Sequence, residues 1–398
     1  MLEPKYKREL PPFTRAEFDG RAERARRLMA RAKLDGMLLT SMVNQEYLAG
    51  FQCQFPVSSP SRPWYFYFPR TGAPVGVVPA VGENAWRTSS WVEEVRTWPS
   101  PRPENEGLDI LRDLIAGTRR RYGRIGVEMG PETRLGMPVE DLLRLRDMIR
   151  PHEMVDCEPV MRELRFIKSK AEIARVRRAC RIACAAFDLL PDFVESGDSE
   201  KVIMRKMKTR CTALGADDTS YMMTRTGPQG LPSWVAGPYD HVPRKGDVLA
   251  IDTGCKYDGY SSDLNRNFSF GKPSDAVRRA HDKLWRATRA GIEAAVPGAT
   301  AEQVFLAQAA ILNEGGSADG FKRMGRFGHG LGKLLTEPPS NKLGDKTKLR
   351  PGMVLTVEPG LLMDNGMMVA HEENLAITED GNRLLTMRAP REIPTIRV

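Results

Sequence analysis

The first 160 residues alternate between two hydrophobic periods. Phe18, Ala22, Ala25, Leu28, Met29 and Ala32 recur at helical spacing, Thr14 stands before them as an N-cap with Glu17 three residues on, and Gly36 is placed to end the helix. Short apolar runs follow, MLLT from Met37 and then WYFYFP, PVGVVPA, EVRTW and GRIGVEM, each reading as a strand. Helical stretches such as LDILRDLIAGTRRR lie between them, and the proline-rich SPSRPW and WPSPRPENEG read as loops. Strands alternating with helices predict a layered α/β domain over residues 1–160.

The pattern changes past a join near Val160 to Ser169. Ser169, with Glu172 three residues on, opens a long helix whose apolar stripe is Ile173, Val176, Ala179, Ile182, Ala183 and Ala186. EKVIMRKMKTRCTALG is a second helical pattern. From Asp247 onward the chain is strand-rich, in DVLAID, GYSSDLNRNFSF, MVLTVEPG and MMVAHEENLAIT, with the helices SDAVRRAHDKLWRATRAGIEAA and AEQVFLAQAAILNEG between them. This predicts a second domain over residues 161–398, without internal repeats or low-complexity tracts.

Composition narrows the function classes. With 398 residues, 41% hydrophobic and 28% charged, the chain has ample core for two soluble domains. The net charge of +9 raises nucleic acid as a partner. However, the bases are interleaved with acids, as in RAERARRLMARAK, and no nucleic-acid-binding signature accompanies them, so solvated helix faces are the reading and no nucleic-acid partner is expected. The six cysteines form no CxxC pair and read as free thiols in a reducing compartment. MLEPKYKREL lacks the apolar core of a signal peptide, and no apolar run approaches the ~20 residues that cross a bilayer. The expectation is a cytoplasmic protein with no membrane partner.

The candidate chemistry lies in the second half. Asp252 ends the apolar run VLAI, Asp263 lies within GYSSDLNRNF, Glu358 ends VLTV, and Glu372 precedes NLAIT. Each stands where a buried strand ordinarily carries an aliphatic residue, and a buried carboxylate is costly unless it is paired or bound to a metal. Several carboxylates with the imidazole of His329 form a hard-to-borderline ligand set suited to Mn²⁺, Fe²⁺, Co²⁺ or Zn²⁺. Any one of these acids also reads as a salt-bridged core residue, and His329 alone reads as a structural histidine.

The ordered set is more specific. Asp252 and Asp263 are eleven residues apart, His329 lies in FGHGLG, Glu358 in PGMVLTVEPG, and Glu372 fourteen further on in HEENLAIT. This resembles the metal signature of the pita-bread metallopeptidases: Xaa-Pro dipeptidase (prolidase), Xaa-Pro aminopeptidase and methionine aminopeptidase, with creatinase as a relative. RFIKSKAEIARVRRAC resembles the opening of their catalytic domain, and the N-terminal half is similar to the smaller α/β domain of prolidase and creatinase. The resemblance implies an α/β N-terminal domain followed by an α+β pita-bread catalytic domain. It also implies two divalent metal ions, with Asp252 on one, Asp263 and Glu372 bridging, and His329 and Glu358 completing the second. Glu373 competes with Glu372 for the last ligand. Counting back from Ile377-Thr378 favours Glu372, and strand alternation lets only one of the two face the site. Asn374 is expected to support the ligands or to be structural.

The implied reaction is hydrolysis of a C–N bond in a small molecule or short peptide by metal-activated water, with Glu358 moving the proton. Three positions depart from the peptidase pattern. Thr336 stands where the second histidine of GHGxGxxxHE is usual, Val235 stands eleven residues before Gly246-Asp247 where another histidine is usual, and Ala370 replaces a frequent arginine. His241 is the nearby histidine available for a catalytic role, and Trp234, Tyr239, His241, Thr336 and His371, with Arg225, are the candidates for contacting substrate. The departures leave a metal-dependent non-peptidase, hydrolase or lyase, as the alternative. By the same resemblance the chain is expected to form a homodimer.

Overall fold

The apolar runs of the N-terminal half pair into one six-stranded sheet. Its strands are β1 (Gly36–Leu39), β2 (Tyr65–Pro69), β3 (Val75–Pro79), β4 (Glu94–Trp98), β5 (Arg124–Val127) and β6 (Glu153–Asp156), in the order β4-β3-β2-β1-β5-β6. β2 pairs antiparallel with β1 and β3, and the other pairs are parallel. Alternation along β2 sends Phe66 and Phe68 into a core with Ala22, Ala25, Met29 and Trp86, and Tyr65 and Tyr67 into another with Leu111, Ile115 and Leu145. Both faces of the sheet are therefore covered, as a continuous apolar run requires. The computed structural model describes residues 9–233, 236–314 and 325–397.

The first helix, Arg15–Arg31, begins as expected, with Thr14 Oγ1 accepting from the amide of Glu17. Its end differs. Lys33 takes a left-handed φ of 57° and turns the chain, whereas Gly36 is the first residue of β1. Glycine is needed at Gly36 for a different reason: a Cβ there would lie 2.3 Å from the Tyr67 hydroxyl.

Two units emerge, Pro12–Arg165 and Phe166–Val398 with the stretch through Pro11. The division falls a few residues beyond the expected 160/161. Val160, Met161 and Leu164 belong to the first core, and the Tyr47 hydroxyl donates to the carbonyl of Leu164 at 3.0 Å. At the other end of the chain, Arg175 donates to the carbonyl of Pro11.

In the second unit the strands are β7 (Met222–Pro228), β8 (Asp247–Thr253), β9 (Lys256–Tyr257), β10 (Tyr260–Ser261), β11 (Leu264–Phe270), β12 (His329–Gly330), β13 (Glu337–Ser340), β14 (Val354–Val357), β15 (Gly360–Leu362), β16 (Met368–Ala370), β17 (Glu373–Ile377), β18 (Asn382–Leu384) and β19 (Thr395–Ile396). They form a four-stranded sheet, β19-β11-β8-β7, a five-stranded sheet, β13-β12-β14-β17-β18, and the two-stranded ribbons β9-β10 and β15-β16. The helix Lys170–Asp188 opens with a full Ser169/Glu172 capping box and buries Ala179, Ile182 and Ala183 with Leu249, Ile251 and Leu264 of the first sheet. Val304, of the helix Ala301–Leu312, packs with Leu355, Val357 and Leu375 of the second. β7 has no counterpart among the strands read from sequence, because two of its buried positions are Thr224 and Thr226 rather than aliphatic residues.

Candidate metal centre

Four residues from three stretches of the second unit converge. Asp263, His329, Glu358 and Glu372 each offer one ligand atom, and these atoms all lie within 4.8 Å of one another. β14 and β17 are antiparallel, with Val357 opposite Glu373. Continuing that register by one residue sets Glu358 opposite Glu372, just where the two strands part.

Asp263 and His329 are held through their backbones. Asp263 precedes β11, and Asn374 clamps it: Asn374 Oδ1 accepts from the Asp263 amide at 3.0 Å, and Nδ2 donates to its carbonyl. Gly328, at φ 137°, lets the chain pass where a Cβ would lie 2.3 Å from both Asn341 Nδ2 and the Thr356 carbonyl. The amide of His329 then donates to Thr356 Oγ1 at 2.9 Å. His329 Nδ1 lies 2.9 Å from the Gly330 carbonyl, an acceptor, so Nδ1 carries the proton. Nε2 is left to face the acids, 3.4 Å from Asp263 Oδ2 and 3.6 Å from Glu358 Oε2.

Burial and neighbouring charges shift the titration of these groups. Burial lowers the pKa of His329, but Glu358 and Asp263 outweigh it and push it up to about 9. Burial first, then the charges of Asp263, Glu358 and Asp252, holds the Glu372 carboxyl well above the usual carboxylate range. Glu358 is raised by burial, against the pull of His329. Glu372 Oε1 is buried without a hydrogen-bond partner. An orphaned carboxylate oxygen, an imidazole nitrogen aimed at two acids, and an oxygen-rich donor set together fit a divalent cation.

Asp252 lies beside these four. It is on β8, opposite Asn265 of β11. Its carboxylate is outside the tight cluster, yet burial and the charges of Asp263 and Glu358 push its pKa well up. The choice between adjacent glutamates is visible in their contacts. Glu373 pairs with the buried Arg266 at 3.0 Å and accepts from Thr386 and the Ala389 amide, while Glu372 joins the cluster.

Three other candidates, His241, His371 and Tyr239, have partners away from the cluster. His241 is exposed, with Nε2 3.7 Å from Asp247. His371 is fully buried, but its Nδ1 meets Thr288 Oγ1 at 3.3 Å and its ring stands edge-on to His281; strand alternation turns it away from Glu372's side. Tyr239 is 52% exposed, beneath the guanidinium of Arg225, which is itself paired with Glu200. Thr336 is exposed, and Trp234 and Val235 fall outside the described residues. Two contributors escaped the sequence reading. The Tyr221 hydroxyl donates to Asp263 Oδ1, and Arg326 Nε stands 3.8 Å from Glu358 Oε1. Tyr221 immediately precedes the unforeseen β7. Arg326 lies three residues before His329, and nothing in the signature marks it.

Comparison with known proteins identifies the family. Residues 174–379 match metallopeptidase family M24, and residues 21–167 match the creatinase/prolidase N-terminal domain. The chain belongs to metallopeptidase family M24, and it is a metallohydrolase of the Xaa-Pro peptidase type with the pita-bread fold. It is 30% identical to the Xaa-Pro dipeptidase of Pyrococcus furiosus over 67% of this chain and 75% of that one. Among solved structures, the prolidase of Thermococcus sibiricus superposes with a TM-score of 0.85 at 26% identity, covering 97% of this chain and all of that one. The dipeptidase PepE of Mycobacterium ulcerans gives a TM-score of 0.84 at 26% identity over 98% of this chain and 100% of that one.

Proposed function

We propose that this chain is a dinuclear metal-dependent peptidase that cleaves the C–N bond of Xaa-Pro in short peptides. The convergence of Asp263, His329, Glu358 and Glu372, with Asp252 beside them, carries this reading. The names of its relatives supply the substrate class, Xaa-Pro dipeptides, and the non-peptidase alternative draws no support from them.

Asp252, Asp263, His329, Glu358 and Glu372 would hold the two cations. Bound divalent cations would acidify water to near-neutral pKa and polarise the carbonyl under attack. The chain's own residues do the rest. Glu358, whose side chain is 23% exposed against 7% or less for Asp263 and His329, is the carboxylate that solvent and substrate reach, and it carries a proton from the attacking water to the departing nitrogen. Tyr221 and Asn374 hold Asp263 in one orientation, as supporting partners of metal ligands do. We place the protein in the cytoplasm, a reducing compartment that suits its six free cysteines, and read it as a homodimer by the family resemblance; sedimentation at micromolar concentration tests the dimer.

The decisive test is a panel of Xaa-Pro dipeptides, Xaa-Pro tripeptides and dipeptides lacking proline, offered to metal-stripped protein and to protein reloaded with Mn²⁺, Co²⁺ or Zn²⁺. Cleavage of Xaa-Pro bonds that requires the metal is expected. Metal-loaded protein that cleaves none of them would overturn the reading.

A further inference from the structure

Thr336 leaves a vacancy in the chemistry. The peptidase pattern puts a hydrogen-bond donor there, and a threonine hydroxyl on an exposed loop is a weak replacement. The structure brings a stronger donor to the same place. Arg326 Nη2 donates to Thr336 Oγ1 at 3.4 Å, and Arg326 Nε lies 3.8 Å from Glu358 Oε1. The side chain is 34% exposed, so it spans from the most open ligand of the cluster to solvent.

Residues beside Thr336 and Arg326 are held by hydrogen bonds. Lys168 and Glu337, each with a side chain 3% exposed, pair at 2.9 Å, and Glu337 also accepts from the Leu334 amide at 3.2 Å. At the other end, the Phe327 amide donates to the Asn341 carbonyl at 2.8 Å. Thr336 and Arg326 thereby stand next to the paired Glu337 and the hydrogen-bonded Phe327. The Arg326–Glu358 contact is beyond hydrogen-bond length, and its strength depends on the charge left on Glu358. Cations held by Glu358 would take up that charge and release the guanidinium, which offers five N–H donors in a planar fork.

We propose that Arg326 is a substrate-contacting residue of this site, donating to the oxygen of the scissile carbonyl as it gains charge. This rests on the peptidase reading. The simpler account, in which Arg326 serves only as counter-ion to Glu358, makes a different prediction for metal binding.

The test uses the full chain loaded with Mn²⁺, as wild type, Arg326→Ala and Arg326→Lys. It follows hydrolysis of an Xaa-Pro dipeptide, the metal dissociation constant, and calorimetric binding of a phosphinate analogue of the same dipeptide, whose tetrahedral oxygens imitate the charged intermediate. Arg326→Ala should lower kcat about 100-fold, the usual effect of removing one such donor. It should weaken the phosphinate in parallel with kcat/KM and leave metal affinity within about threefold, and Arg326→Lys should recover part of both losses. An Arg326→Ala variant that keeps kcat and phosphinate affinity within about twofold of an active wild type overturns this inference alone, as does one whose loss tracks weakened metal binding. A wild type that neither cleaves the dipeptide nor binds the phosphinate overturns the peptidase reading as well.

Discussion

At His329 one backbone oxygen decides the chemistry of the side chain. The Gly330 carbonyl holds the proton on Nδ1 and turns the Nε2 lone pair toward Asp263 and Glu358. Without a cation, those acids keep a second proton on the ring up to about pH 9. Because this folded value lies above the ordinary 6.5, the stabilisation it brings is complete below about pH 6.5 and is lost as the pH rises through 9. The melting temperature of metal-free protein should therefore fall between pH 7 and pH 9.5. Saturating Mn²⁺ should abolish that fall, because the deprotonated ring is the ligand. A metal-free melting curve flat over this range would contradict the assignment. Tyr221 offers a second test. Tyr221→Phe removes the donor to Asp263 Oδ1 and should weaken metal binding by 10- to 100-fold, measured by competition with a chelating dye, with little change in the far-ultraviolet circular dichroism. The clustered acids were legible in sequence because acids closing apolar runs contradict the pattern around them. Tyr221, Arg326 and the Arg266–Glu373 pair were not, since each acts through a partner distant in the chain.

The elements place these residues by register and by close backbone approach. Glu358 and Glu372 face each other only while β14 and β17 keep Val357 opposite Glu373; a slip by one residue would exchange Glu372 for Glu373. Gly328 fixes the approach of the histidine strand. Gly328→Ala meets Asn341 Nδ2 and the Thr356 carbonyl at 2.3 Å and must move one of them, so it should cost a few kcal/mol of stability and lose metal affinity as His329 shifts. Chemical denaturation and metal titration of the variant check this. A Gly328→Ala protein as stable and as metal-avid as wild type would show that the loop is not under this constraint. Most helices and strands were readable from period and caps, Ser169/Glu172 most clearly. The exceptions have physical causes: Lys33 in a left-handed turn ends the first helix in place of Gly36, and threonines at buried positions hid β7.

For the whole molecule, the two units have separate cores, and the candidate centre draws its ligands only from the second. Among the described residues, no helix is long and apolar enough to cross a membrane. The α/β and acid-bearing halves were legible because strand-helix alternation and strand-rich pattern differ. The boundary was less so, because the helix Glu158–Phe166 has no break at 160 and only its contacts assign it to the first core. Cation binding should therefore slow amide hydrogen exchange in segments 247–270, 325–330 and 354–377 and leave 12–165 unchanged; equal protection of both units would contradict a centre confined to the second.

The most direct test of the central claim is an anomalous difference map from crystals of the protein grown with Mn²⁺. The account predicts two peaks, one touched by Asp252, the other by His329 and Glu358, with Asp263 and Glu372 reaching both. Peaks held by other residues, or no peak among these five in metal-saturated crystals, would contradict it.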